Sequence, residues 1–156
     1  MRIAVLSDTH GNYRIAERAV LAVPGAEMFI HAGDYYSDAA KLRQSLKLPI
    51  VAVKGNCDRF SFGSIEEIVE VEGSRILVVH GHTCGVKYDL SMLKQRVKQV
   101  KATIAVYGHT HIPNIETSDG CLFVNPGSLQ SPRTTQYPTY ATIEIVDEKP
   151  VALIPS

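Results

Sequence analysis

The sequence predicts an α/β (α+β) domain with two mixed sheets and helices packed outside them. In the first half, short apolar segments alternate with helical ones, which indicates parallel strands covered on both faces. In the second half, pairs of alternating segments flank turn sequences such as Glu72-Gly73, which indicates antiparallel hairpins. No repeat or low-complexity linker interrupts the 156 residues, so we expect a single domain over 1–156.

The first half contains three predicted strands and two predicted helices. Asn12 is a good N-cap for the first helix, and Pro24-Gly25 ends it. Ser37 or Asp38 is expected to open the second helix, which closes before Pro49. The predicted bounds are Ile3–Leu6, Tyr13–Val23, Met28–Ala32, a helix from Ser37 or Asp38 through about Leu46, and Ile50–Val53.

The second half is predicted to be richer in strands. Leu90, Leu93, Val97 and Val100 recur at helical spacing, so a helix is expected there. The other segments are strands, and turns at Ser118-Asp119-Gly120 and Asp147–Lys149 join the last two pairs. The predicted bounds are Ile65–Val71, Arg75–Val79, a helix over Asp89–Val100, then Ile104–Tyr107, Ile112–Glu116, Leu122–Asn125, Tyr140–Val146 and Val151–Ile154.

The composition argues against several classes of partner. Lys+Arg and Asp+Glu both number 16, so no overall positive charge draws the chain to nucleic acid or acidic lipid. No segment approaches the roughly 20 apolar residues that span a bilayer, and the first apolar run is too short for a signal peptide. Cys57, Cys84 and Cys121 form no disulfide framework, so we expect a cytoplasmic protein.

Residues that commonly bind metals follow five strand-like segments. In Asp8-Thr9-His10 and in His109-Thr110-His111, side chains two residues apart lie on the same side of an extended segment and can reach one ion together. Asp34, Asn56 and His80 follow three further segments. The carboxyl ends of strands are where open α/β sheets normally place their sites. The sequence therefore predicts a metal site assembled from distant loops.

The ordered series D-x-H, G-D, G-N-x-D, H and G-H-x-H resembles the signature of the calcineurin-like metallophosphoesterase superfamily. It spans positions 8–111, and the G-N-C-D form of the third motif is similar to the small YfcE-like phosphodiesterase branch. So is the turn Asn125-Pro126-Gly127-Ser128 followed by Pro132-Arg133. The resemblance implies a four-layer double β-sandwich of two mixed sheets flanked by helices.

The resemblance also implies a set of protein ligands for each of two metal ions. Asp8, His10 and His111 would hold the first ion, while Asn56, His80 and His109 would hold the second. Asp34 would bridge the two ions. Mixed Asp, Asn and His ligands suit divalent transition metals, with manganese first and nickel, iron, zinc or cobalt as alternatives. The implied reaction is in-line attack on phosphorus by a hydroxide that bridges the two ions.

The third motif departs from the common G-N-H-D form because Cys57 replaces its histidine, the usual candidate for protonating the leaving group. A thiol donates poor hydrogen bonds, so the proton must come from another donor, such as His82 or water, or the substrate needs an activated leaving group. Asp58 is expected to orient a neighbouring ligand, and His31 to be a hydrogen-bonded core residue. The predicted catalytic residues are Asp34, Asn56, His82 and Asp58, and the predicted substrate contacts are Asn12, Asn56 and Arg133.

A metal-dependent phosphodiesterase acting on a small diester is the leading functional prediction, and a homodimer is left open. A phosphomonoesterase could use the same core. A non-catalytic scaffold like the retromer subunit of this fold is the alternative from another class, but the chain keeps all seven ligand types. The balanced charge disfavours a nuclease, which would need an extended basic groove.

Overall fold

The computed structural model describes residues 1–155, which form three helices and ten strands in four layers. Two five-stranded sheets lie face to face, and helices cover the outer faces of both, as predicted. The elements are β1 (Arg2–Leu6), α1 (Tyr13–Leu21), β2 (Met28–His31), α2 (Tyr36–Leu46), β3 (Ile50–Ala52), β4 (Glu66–Val71), β5 (Ser74–Val79), α3 (Ser91–Val100), β6 (Ile104–Val106), β7 (Asn114–Ser118), β8 (Cys121–Asn125), β9 (Ala141–Val146) and β10 (Lys149–Leu153).

The first sheet has the order β10-β9-β1-β2-β3. Its three strands from the first half pair in parallel, with Ile3 opposite Met28 and Phe29 opposite Ile50. Strands β9 and β10 complete the sheet as antiparallel neighbours. Because β1, β2 and β3 run in the same direction, the loops that follow them emerge at one edge.

The second sheet has the order β4-β5-β6-β8-β7. Its centre is parallel, since β6 pairs in parallel with both β5 and β8, and the two antiparallel strands β4 and β7 form its edges. The loops after β5, β6 and β8 therefore also share an edge. They carry His80, the His109–His111 segment and the Asn125–Ser128 turn.

Three apolar clusters hold the layers together. The inner faces of both sheets meet in a core that includes Ile30 and Ile76. Helices α1 and α2 pack over Phe29, with Leu42 of α2 fully buried in this cluster, and α3 packs over Phe123. Burial of each such side chain contributes roughly 1.5–3 kcal/mol relative to exposure. Within residues 1–155, no helix has the length and apolar character needed to cross a membrane.

The hairpin turns use two residues in the left-handed conformation, which matches the twist of the strands they join. Glu72-Gly73 and Asp119-Gly120 were expected in turns and have positive φ at both residues. Asp147 and Glu148 do the same, with φ of 49° and 61°, so β10 already starts at Lys149. The predicted turn over Asp147–Lys149 and the strand start at Val151 were therefore wrong by one and two residues.

The predicted helix ends also needed correction. Helix α1 ends at Leu21, two residues before the predicted end at Val23. Helix α3 begins at Ser91 instead of Asp89, because the Asp89 carboxylate accepts a hydrogen bond from the Ser91 amide at 2.8 Å. Helix α2 begins at Tyr36, so neither Ser37 nor Asp38 caps it.

Several strand ends also differ from their predicted positions by one or two residues. Strand β7 begins at Asn114, not at Ile112, while β2, β3 and β6 each end one residue earlier than expected. These residues continue into the site loops, where the backbone leaves the extended conformation.

Candidate metal centre

The seven predicted metal ligands converge at one end of the two sheets. Ligand atoms of Asp8, His10, Asp34 and His111 all lie within 4.8 Å of one another. Nε2 of His80 is 3.4 Å from Oδ1 of Asp34 and 3.2 Å from Oδ1 of Asn56. The His109 ring lies 5.0 Å from the His80 ring, centroid to centroid. Loops that are distant in sequence thus form one cluster.

Asp34 lies between two histidines that belong to different halves of the cluster. Its Oδ2 is 3.6 Å from Nε2 of His10, and its Oδ1 is 3.4 Å from Nε2 of His80. The residue is 2% exposed. Each oxygen thus faces a separate group of nitrogen ligands, which is the arrangement that a bridging carboxylate requires.

Asp8 is held by hydrogen bonds on one oxygen and faces imidazole nitrogens on the other. Its Oδ2 accepts hydrogen bonds from the Ser7 hydroxyl at 2.6 Å and from the His109 amide at 3.1 Å. Its buried Oδ1 pairs with Nε2 of His111 at 3.0 Å, while the buried Nε2 of His10 has no hydrogen-bond partner within the described residues. Such a group is costly unless something satisfies it. Oxygen and imidazole donors around it fit a divalent transition metal.

Electrostatics within the cluster keep both carboxylates ionised. Burial raises the pKa of Asp8, but the imidazoles of His10, His111 and His80 outweigh it and hold the pKa far below its usual range. Burial also raises the pKa of Asp34, but the hydrogen bond and charge of His80 bring it down to about 2. Negative charge at both positions is what a cation site needs.

The histidines divide into two groups by their pKa. Burial lowers the pKa of His80, but its contacts with Asp34 and Asp8 outweigh burial and raise it. The pKa of His111 is raised by its interaction with Asp8. Burial and the nearby His80 lower the pKa of His109 to about 4, and the same two causes lower the pKa of His82.

Most of the predicted ligands adopt a left-handed backbone, which is uncommon outside glycine and concentrates at functional sites. The φ angles lie between 44° and 68° at five of them, namely Asp8, His10, Asp34, His109 and His111. Each such residue costs roughly 1–3 kcal/mol and persists only when its surroundings enforce it. The ligand loops therefore depend on supporting contacts from elsewhere.

The Asn125–Ser128 turn supplies part of that support. The Asn125 amide donates to the carbonyl of Gly108 at 3.1 Å and to the Thr110 hydroxyl at 3.0 Å. The Ser128 hydroxyl donates to the carbonyl of Asp8 at 2.9 Å. Sequence reasoning assigned this turn no role, although its polar residues follow a fully buried strand that neighbours β6.

A buried chain of hydrogen bonds supports the loops from behind. The Gly33 amide donates to Nδ1 of His31 at 3.3 Å, so Nε2 carries the proton and donates to the Thr9 hydroxyl at 3.0 Å. That hydroxyl donates in turn to Oδ2 of Asp38 at 2.8 Å, which also accepts from the Gly11 amide. His31 is the hydrogen-bonded core residue that was predicted. Asp38, predicted as a helix opener, instead holds the first ligand loop.

Two of the predicted substrate contacts, Asn12 and Arg133, differ in whether their side chains are already hydrogen-bonded or exposed. Oδ1 of Asn12 accepts from the Ile15 amide at 3.4 Å, and its Nδ2 donates to Gln130 at 2.9 Å, so its side chain is engaged as a helix cap. Arg133 is exposed, and its amide donates to the carbonyl of His111 at 3.3 Å.

Three further residues lie next to the proposed ligands but are not among the seven. They are Asp58, Cys57 and His82. Asp58 accepts from the Gly55 amide at 2.8 Å and the Tyr36 amide at 2.9 Å, so it orients the backbone beside Asn56. Cys57 is exposed, and its amide donates to Oδ1 of Asp34 at 3.0 Å. The His82 ring is 5.5 Å from the His80 ring, and its buried Nδ1 has no partner among the described residues.

The sandwich gathers carboxylate, amide and imidazole groups at one edge, a ligand set that suits a divalent transition metal. A family model described as the calcineurin-like phosphoesterase superfamily domain matches residues 1–148. The chain is 34% identical over 153 residues to the probable metallophosphoesterase YsnB of Bacillus subtilis, covering 95% of this chain and 86% of that protein. The chain belongs to the calcineurin-like phosphoesterase superfamily.

Three further proteins extend the comparison. The phosphodiesterase YfcE of Escherichia coli K12 is 27% identical over 168 residues, covering 92% of this chain and 88% of that protein. A crystal structure of a predicted phosphoesterase from Streptococcus pneumoniae has a TM-score of 0.81, with 30% identity over 94% of this chain and 83% of that one. Zinc-complexed Vps29 from Entamoeba histolytica also has a TM-score of 0.81, at 22% identity over 99% of this chain and 91% of that one, and shares the fold.

Thr9→Val tests whether the buried chain of hydrogen bonds positions the ligands. Valine keeps the shape of threonine but removes the hydroxyl between His31 and Asp38. We expect Mn²⁺ affinity, measured by calorimetry, to fall by about 10- to 100-fold. Thr83→Val, at an exposed hydroxyl, should leave the affinity unchanged. A Thr9→Val protein with a lower melting temperature but wild-type affinity would show that the chain serves stability alone.

The buried His31 should make stability fall in acid. Burial lowers its pKa to about 4 from 6.5, so the unfolded chain binds an extra proton between these pH values. The contribution of neutral His31 to the free energy of unfolding is intact above pH 6.5 and is lost as the pH falls towards 4. The loss is about 3 kcal/mol.

Denaturant unfolding of the wild type and of His31→Gln, both in a chelator, measures this effect. The difference in unfolding free energy between the two proteins should shrink as the pH falls from 6.5 to 4. The other titrating groups are the same in both proteins, so their effects cancel in this difference. A difference that stays constant with pH would contradict the assignment.

Proposed function

We propose that the protein is a metal-dependent phosphodiesterase that uses two divalent transition-metal ions to hydrolyse a small phosphodiester. The observation that carries this proposal is the placement of Asp34, whose two oxygens face Nε2 of His10 at 3.6 Å and Nε2 of His80 at 3.4 Å. A single ion could be bound by only one of these two carboxylate–imidazole pairs. Two ions use both.

The ligand assignment follows the two sides of Asp34. Asp8, His10 and His111 would hold the first ion, because their ligand atoms cluster with that of Asp34. Asn56, His80 and His109 would hold the second ion, and they lie on the other side of the same carboxylate. Manganese is the first choice for this ligand set, and nickel, iron, zinc and cobalt are the alternatives.

Bound ions would activate a water molecule near neutral pH and offset charge on the phosphoryl oxygens. The chain's own residues prepare the site for this. Asp8 and Asp34 supply two negative charges, and Ser7 and the His109 amide fix the direction of the Asp8 carboxylate. The Asn56 amide and the exposed Arg133 would orient the diester. His82 or water would be only a weak proton donor to the leaving group, because burial lowers the pKa of His82.

Features of the chain favour this proposal over its alternatives. A scaffold has no need for two buried carboxylates ringed by imidazoles, nor for the buried Nε2 of His10 that has no hydrogen-bond partner within the described residues. The equal numbers of acidic and basic residues, 16 each, favour a small substrate over nucleic acid or a membrane surface. All three cysteines are free thiols, which supports a cytoplasmic location.

Asp34→Asn tests the bridging assignment. An amide keeps the shape of the side chain but loses the negative charge, so activity should fall by at least about 100-fold with every metal. Metal-stripped protein is reconstituted separately with Mn²⁺, Ni²⁺, Fe²⁺, Zn²⁺ or Co²⁺ and assayed on paired mono- and diester substrates. Asp147→Asn, in a hairpin turn, is the matched control and should retain full activity.

Retained turnover in Asp34→Asn would contradict the site assignment. Preference for the monoester in the wild type would identify a phosphomonoesterase, and inactivity with every metal would favour a scaffold.

Cys57→His tests the proton donor. An imidazole beside Asn56 can protonate a leaving oxygen, whereas a thiol is a poor donor. We expect the variant to hydrolyse diesters with unactivated leaving groups faster than the wild type, while p-nitrophenyl diesters change little. Cys57→Ser is the matched control, because serine adds no imidazole. An unchanged rate on unactivated diesters would show that another group, such as His82, already supplies the proton.

A further inference from the structure

A shallow cleft of about 470 Å³ opens beside the second half of the metal centre. We define this aromatic cleft by its lining residues, which are Tyr36, Ser37, Cys57, Asp58, Phe60, Ser61 and Phe62. We propose that it binds a planar aromatic group, such as a nucleobase, carried on one ester arm of the substrate. This inference rests on the proposed phosphodiesterase function and names its substrate class.

The aromatic cleft begins at Cys57, the residue that follows the proposed ligand Asn56. Cys57 forms one wall, and its amide donates to Oδ1 of the bridging Asp34 at 3.0 Å. On the other side, the Tyr35 ring lies 5.2 Å from the His10 ring, so aromatic groups follow the rim of the centre. A phosphoryl group held at the metals would therefore direct an ester arm into this cleft.

The loop that carries the two phenylalanines is fixed at both ends. Asp58 ties it to Gly55 and Tyr36, and the Lys54 amide donates to the Ser64 carbonyl at 2.9 Å. Between these anchors, the exposed fractions are 98% for Phe60 and 106% for Phe62. Two fully exposed phenyl rings beside a polar site are unfavourable in water and typical of a binding surface.

Gly63 allows the loop to lie against the wall of the cleft. A Cβ added there would come within 2.5 Å of the Tyr36 ring, so only glycine permits this close approach. The Tyr36 ring and the loop are thereby held next to each other without an intervening side chain.

The chemistry of the lining selects the occupant. Ring faces favour stacking of a flat group, and hydroxyls can donate to or accept from ring nitrogens and carbonyls. The acidic residue Asp58 also lines the cleft, while no lysine or arginine does so among residues 1–155. A second phosphate or a carboxylate would therefore be repelled. A neutral heteroaromatic group fits this lining best.

Calorimetry on manganese-loaded protein tests the proposal with two probes, adenosine 5′-monophosphate and ribose 5-phosphate, which differ in the base. In the wild type we expect the nucleotide to bind about tenfold more tightly. In the Phe60→Ala/Phe62→Ala variant this ratio should fall to near one, while ribose 5-phosphate binds as before. Phe60→Trp/Phe62→Trp should keep the ratio, as should Tyr88→Ala, a control at a ring that is 94% exposed on another loop.

Equal affinity of the two probes in the wild type would overturn the proposal, and so would a ratio that persists in the double alanine variant. A wild-type dimer that becomes monomeric in that variant, with the ratio unchanged, would overturn it in favour of self-association through Phe60 and Phe62. Activity on bis(p-nitrophenyl) phosphate is measured in parallel. Because the binding ratio does not require turnover, failure of the phosphodiesterase function is distinguishable from failure of the aromatic cleft.

Discussion

Two carboxylates buried at one end of the molecule impose the constraint on which the site depends. Asp8 and Asp34 are 0% and 2% exposed, and each raises the other's need for compensating positive charge. The surrounding imidazoles compensate this charge only in part, because Nε2 of His10 lies 3.8 Å from Oδ1 of Asp8 and 3.6 Å from Oδ2 of Asp34 without a hydrogen bond to either. Cations placed between the carboxylates and the imidazoles would complete the compensation. Metal binding at this cluster would therefore also stabilise the folded protein.

The constraint is met by loops with an unfavourable backbone. Residues such as His10 and His109 lie in the left-handed region, where side chains other than glycine rarely occur. The energy for this comes from groups outside the ligand set, including Asn125, Ser128 and the Thr9 hydroxyl. The four-layer architecture matters here because three parallel strands of each sheet end close to the site. Each supporting residue can then reach a loop from a neighbouring strand.

The surface around the site differs in polarity on the two sides of Asp34. On the first side of Asp34, the neighbours are charged or polar and suit a phosphoryl group. On the second side, beyond Cys57, the exposed rings of Phe60 and Phe62 change the surface from polar to aromatic. This change in chemistry over a short distance is what a diester with a polar centre and an aromatic arm would match. Specificity would then come from a single short loop and leave the metal ligands unaltered.

The sequence by itself predicted the elements, the two sheets and seven candidate ligand side chains, because apolar periodicity and ordered motifs are local properties. It placed helix and strand ends only to within about two residues, since the left-handed residues at 147–148 and Tyr35 give no strong local signal. The roles of Ser7, Asp38 and Asn125 were decided by the tertiary structure alone. Asp38 reads as an ordinary residue of a first helical turn until the Thr9 loop packs over it and buries its carboxylate. Contacts between distant segments set that burial, and no local pattern encodes it.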